Sequence, residues 1–197
     1  MKSFYALIAA VDRSAGAERK EMESIVWKTF GVTCAVLALD MANFSLLVRR
    51  DGILAYLCLI QQMQRVTGPI VVQHGGEVVK YEADNLIAVF PSCSAAVRAA
   101  LAMHRAFADD QQRGGRTVQV SIGIDWGKFL LVRSGDCFGD PVNRAHKLGE
   151  DLARAGETLV SEEVRAQVGD APDLSWQQQM LSIFGAQATA FRVEPAA

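Results

Sequence analysis

Apolar positions along the chain change period several times, and each change marks an expected element. Over residues 17–30, Met22, Ile25, Val26, Thr29 and Phe30 recur at helical spacing, which predicts an amphipathic prefix helix closed by Gly31. The stretch before it, MKSFYALIAAVDRSAGA, has the outline of a signal peptide: a Lys, a short apolar run and an A-x-A. Because that run is short and Asp12-Arg13 follow it directly, a first strand or ordered arm is expected instead. CAVLALDM (Cys34–Met41) is apolar up to Asp40, the pattern of a strand buried on both faces. A segment Phe44–Arg50 follows. Ile53–Val66 then places Ile53, Leu57, Ile60 and Met63 on one helical stripe, interrupted at Gly68-Pro69.

Two short apolar runs, Glu77–Tyr81 and Leu86–Phe90, are joined by Glu82-Ala83-Asp84-Asn85 and predict a hairpin. SAAVRAALAMHRAF is helical, with Val97, Ala100, Leu101, His104 and Phe107 in register. His104 on that stripe reads as a satisfied core histidine, not a ligand. TVQVSIGIDWGKFLLV predicts two strands pivoting near Trp126-Gly127, and RSGDCFGDPVN a loop leading into a helix through Ala153. ETLVS is a strand, Glu162–Val168 a short helix, and the tail a closing hairpin around Gly185-Ala186. The order βαββαβ, followed by accessories, describes an α+β fold of ferredoxin-like, palm type with helices on one face. Polymerase palms, cyclases, RNA-binding modules and acyl-phosphate enzymes share that architecture, so the fold does not choose among them.

Composition narrows the field. The chain has 197 residues, half of them hydrophobic, which suits one domain with a sizeable core. A net charge of −2 and no Lys/Arg run give no footprint for nucleic acid. Cys34, Cys58, Cys93 and Cys137 are scattered without a C-x-x-C pair, as expected of free thiols in a reducing cytoplasm. His74, His104 and His146 share no ligand spacing with them, which argues against zinc. No apolar run approaches the roughly 20 residues of a membrane span.

In a βαββ unit the end of the first strand and the turn of the next hairpin can lie side by side. That would bring together Asp40 and Asp84, hard-oxygen donors suited to Mg²⁺ shared with substrate phosphates. The chain turns towards a helix near Asn43-Phe44, whose free N–H groups would suit phosphate oxygens. By spacing alone, a metal–phosphate site and a merely solvated turn both remain open.

Four segments in order, AVLALDMANFS, GGEVVKYEADNLIAVF, VSIGIDWGKF and GDCFGDPVNRAHKLGEDLA, resemble the catalytic domain of class III nucleotidyl cyclases across residues 33–165. The resemblance implies that Asp40 and Asp84 bind two divalent ions, Mg²⁺ or Mn²⁺, with the Met41 carbonyl as a further ligand. It implies that Lys80 and Asp136 recognise adenine and that Asn143 positions the ribose. It also implies a homodimer in which metal residues come from one subunit and base and transition-state residues from the other. Departures accompany it. The family's transition-state Arg is Lys147, which keeps charge without the planar fork. Ala83 and Asn43 replace glycines. No lysine follows Lys147 to serve the triphosphate, and Phe184 stands near its expected place, with Arg165 and Arg192 as substitutes to be placed.

The expected organisation is an N-terminal arm and prefix helix over 1–31, then a cyclase domain over 32–197. The expected function is conversion of ATP to cyclic AMP and pyrophosphate by a cytoplasmic homodimer. The rival is a nucleotide-binding signalling module of the same fold without turnover. A ferredoxin-like RNA-binding module fits poorly, since the strands lack an aromatic platform. Gly75-Gly76-Glu77 precedes its strand instead of occupying the turn, which argues against a diguanylate cyclase.

Overall fold

Strand β1 (Gly31–Met41) organises the sheet, because its alternate residues are buried in different layers. Ala35, Leu37, Leu39 and Met41 join one apolar cluster, while Val36 and Ala38 join another on the opposite face. β1 pairs antiparallel with β3 (Asn85–Phe90) on one side and with β4 (Val120–Val132) on the other. β2 (Glu77–Glu82) lies outside β3, and β6 (Thr158–Ser161) runs parallel to β4. β8 (Ala186–Pro195) and β7 (Leu174–Ile183) complete the order β2-β3-β1-β4-β6-β8-β7, with short β5 (Asp136–Phe138) on the end of β4. This is the α+β, ferredoxin-like palm fold with added C-terminal strands. The computed structural model describes residues 2–42, 49–114, 116–133 and 135–196.

Helices α3 (Ile53–Gln73), α4 (Cys93–Gln112) and α6 (Glu162–Val168) supply Met63, Val71, Val97, Ala100, Met103 and Val164 to the larger cluster. The expectation of helices on one face needs amending, because α5 (Asp140–His146) covers the other face with Val142 and Ala145. α5 continues as a π-helical segment, Lys147–Leu152. Among the described residues, no helix is long and apolar enough to cross a membrane.

Several expectations are corrected. Of the two alternatives for the first residues, strand or ordered arm, the strand is not formed: they make helix α1 (Lys2–Arg13). Phe4, Leu7 and Val11, at helical spacing, pack on Val26 and Phe30 of α2 (Gly16–Phe30) and on Leu130 and Val132 of β4. α3 does not stop at Gly68-Pro69 but runs through them to Gln73. Pro69 forfeits one helical hydrogen bond, yet Thr67 and Val71 beside it are wholly buried, and that burial outweighs the loss. Its buried stripe is Tyr56, Leu59, Met63, Thr67 and Val71, whereas Ile53 and Leu57 of the expected stripe are exposed. Finally, Val120–Val132 is one strand without a pivot. Its pairing with β1 runs without a shift through Cys34 and Gly127, and the absence of a side chain at Gly127 makes room for the Pro141 ring, 2.6 Å from where a Cβ would project.

Candidate active site

The β1–β3 register sets Asp40 opposite Asn85, so the end of β1 lies beside the hairpin turn Ala83-Asp84. Asp40 is half-buried, and its carboxyl is pushed up to about 6 by burial first, then by Asp84 and Glu150, against a hydrogen bond from the Met41 N–H. Tyr56 of α3 faces the same place: its buried phenol hydrogen-bonds Asp84 and is held above the usual tyrosine range, first by burial and then by Asp84 and Asp40. Two carboxylates, one destabilised in its charged form by the other, suit a hard divalent cation. Met41 is buried next to them. Asn43 and Phe44 lie outside the described residues. Among the described residues, no group of three or more His, Cys, Asp or Glu is arranged around a metal position.

A second pair forms between distant strands. Lys80 Nζ of β2 lies 3.2 Å from Asp136 Oδ1 of β5, and 2.8 Å from Glu82 Oε2. The β2–β3 register shifts between Val78 and Lys80, a bulge that re-aims the lysine. Asp136, expected in a loop, is in a strand paired with Val132, and its Oδ1 also accepts from the Cys137 N–H at 2.9 Å. Lys80 is held above its ordinary range mainly by Glu82, with Asp136 adding to this and burial opposing it.

The third set sits on α5 and the π-helical turn. A Cβ on Gly123 would fall 2.0 Å from the Ala145 carbonyl, and one on Gly149 would fall 2.8 Å from the Ala38 carbonyl. These two glycines therefore let the segment approach the sheet backbone to backbone. Asn143 is exposed. Lys147 donates to Asp151 at 2.8 Å, and His146 pairs with Glu150 at 2.5 Å. Asn143, Lys147, His146, Glu150 and Asp151 line a shallow cavity of about 230 Å³ with Phe184, the left-handed, exposed residue at the β7–β8 turn.

No family model matches the chain. Its fold superimposes with a TM-score of 0.69 on an adenylate/guanylate cyclase/hydrolase from Silicibacter pomeroyi, 29% identical over 85% of this chain and 99% of that one. An adenylate cyclase of Glutamicibacter nicotianae is 31% identical over 124 residues, 61% of this chain and 28% of that protein. The chain carries the catalytic domain of class III nucleotidyl cyclases. An uncharacterized protein of Mycobacterium tuberculosis (strain ATCC 25618 / H37Rv) is 28% identical over 95% of this chain and 49% of its own length. The chain thus spans between a quarter and a half of the curated relatives it matches.

Within the cyclase domain, the structure brings together Asp40 with Asp84, Lys80 with Asp136, and Asn143 with Lys147. Arg165 is turned away from these sets, over the Trp176 ring and onto the Gly169 carbonyl. Arg192 pairs with Glu157 and Glu194. Neither joins Lys147. The sequence reading missed Tyr56 and Glu82 as members of these sets. Glu82 was visible as a carboxylate two residues from Lys80. Tyr56 was hidden because the stripe assigned to its helix faced the wrong way.

Proposed function

We propose that this cyclase domain converts ATP to cyclic AMP and pyrophosphate in a homodimer with two composite sites. The observation that carries the reading is the Lys80–Asp136 contact at 3.2 Å. An ammonium donor beside a carboxylate acceptor matches adenine, which offers an acceptor ring nitrogen next to a donor amine. Asp40 and Asp84 would hold Mg²⁺ or Mn²⁺, two ions per site, with the Met41 carbonyl as a further ligand. The metal, when bound, would acidify the ribose 3′ hydroxyl and offset phosphate charge. Asn143 would orient the ribose so that the 3′ oxygen lies in line with the α-phosphorus as pyrophosphate leaves. Lys147 would place its charge on the phosphates once released from Asp151. Asn43 and Phe44 would line the phosphate end.

The test incubates purified protein with ATP or GTP and either metal and measures cyclic product. Cyclic AMP from ATP, lost in Asp40→Ala, is the expected result. No cyclic nucleotide above the Asp40→Ala control overturns the proposal. The Lys147–Asp151 pair and the lysine-free tail favour a second reading, a nucleotide-binding module without turnover. Saturable ATP binding by calorimetry with no product would select it.

A further inference from the structure

An ion pair on a buried carboxylate stands directly behind α5 and has no place in the chemistry just described. Asp125 of β4 has no exposed surface, and Arg144 Nε donates to its Oδ2 at 2.7 Å. Its other oxygen, Oδ1, is buried without a hydrogen-bond partner among the described residues, so Arg144 is the group that compensates this carboxylate. Another guanidinium nitrogen of Arg144 lies 3.5 Å from Glu163 at the start of α6. One side chain thus ties α5 to the central strand and to the next helix.

Its position in the chain gives this pair leverage. Arg144 directly follows Asn143 and precedes Lys147 by three residues. Successive helical residues are about 100° apart, so a turn of α5 about its axis swings Asn143 and Lys147 together. α5 has seven residues and no side-chain cap at its start. The glycines at 123, 127 and 149 let it lie close to β4 but present smooth backbone, which sets depth and not rotation. Among the described residues, Arg144–Asp125 is the one side-chain hydrogen bond between α5 and β4.

We infer that Arg144 and Asp125 are positioning residues whose ion pair sets the rotation of α5 and hence the directions of Asn143 and Lys147. The inference rests on the cyclase reading of those two residues. Lys80 and Asp136 belong to β2 and β5, so nucleotide capture should survive when the pair is broken while turnover suffers.

The test compares Arg144→Met, Arg144→Lys, Asp125→Asn and the neutral double variant Asp125→Asn/Arg144→Gln, each first shown to be folded by thermal melting. Amide exchange of residues 140–146 is read against that of β6 in the same sample. In Arg144→Met, kcat should fall about 10- to 100-fold, the scale of a small misplacement of reacting groups. KM for ATP should stay within about two-fold, because base-binding groups are unmoved. The double variant, which leaves no buried charge unpaired, should recover most of kcat. Exchange in α5 should quicken while that in β6 does not. A folded Arg144→Met with kcat within about two-fold of wild type overturns the inference, as does an equal loss through KM. If the wild type makes no product, the cyclase proposal fails separately. Exchange then decides on Arg144→Met, or on the neutral double variant where Arg144→Met does not fold: unchanged α5 amides overturn the inference, while amides quickened in Arg144→Met and slower again in Arg144→Lys uphold it.

Discussion

Ala83 holds φ at 50°, a left-handed conformation in which a Cβ costs about 1–2 kcal/mol. Ala83→Gly is therefore expected to raise stability by about 1 kcal/mol, seen as a higher urea midpoint with an unchanged slope. An unchanged or lower midpoint would contradict the strain. That Ala replaces a family glycine was legible in the sequence; that the backbone keeps the left-handed turn regardless was not, because the pairing of Glu82 with Asn85 across β2 and β3 leaves only two residues to reverse the chain. His104 shows the same division. Its place on an apolar stripe predicted a satisfied core histidine, and its Nε2 lies 2.9 Å from the Thr158 hydroxyl. Burial lowers its pKa from 6.5 to about 4. The unfolded chain then takes up the proton first, so this stability is complete above about pH 6.5 and is lost as pH falls towards 4. The span corresponds to roughly 3 kcal/mol. Thermal melts of wild type and His104→Gln between pH 7 and 4.5 check it: wild type should lose more than the variant, and parallel curves would assign the acid sensitivity elsewhere.

Among the elements, the π-helical turn bears most directly on turnover. It spaces Lys147 against Asp151 at 2.8 Å, with both partly exposed. An exposed pair of this kind is worth about 0.2–1 kcal/mol, so substrate phosphates can displace it. Asp151→Asn is expected to raise kcat by up to about five-fold, the rate equivalent of that energy. A lowered kcat in the variant would mean that Asp151 assists the reaction instead of holding Lys147 back. The pairing at helical spacing was foreseeable from residue order. The depth at which the turn sits was not, since it depends on Gly123 and Gly149 meeting across the sheet. α3 illustrates the limits of periodicity more sharply. Apolar residues occur on both of its faces, and the sheet chose Tyr56, Leu59 and Met63 over Ile53 and Leu57. That choice also delivered Tyr56 to the carboxylates.

For the whole molecule, the composite-site proposal predicts complementation. Asp40→Ala and Asn143→Ala proteins should each be inactive, while an exchanged equal mixture should regain about a quarter of wild-type activity, since half the dimers then hold one intact site. No recovery after subunit exchange has been verified would point to sites contained within one chain. The hairpin, with Asp40 at a strand end and Asp84 in a turn, was readable along the chain, because residue type and local period are properties of short segments; the pairing of Lys80 with Asp136 was implied only by the resemblance to cyclases. Three things were settled by packing alone: the face that α3 buries, the unbroken β4, and the meeting of Arg144 with Asp125. Each depends on which surfaces come together across many intervening residues, and a local pattern does not carry that information.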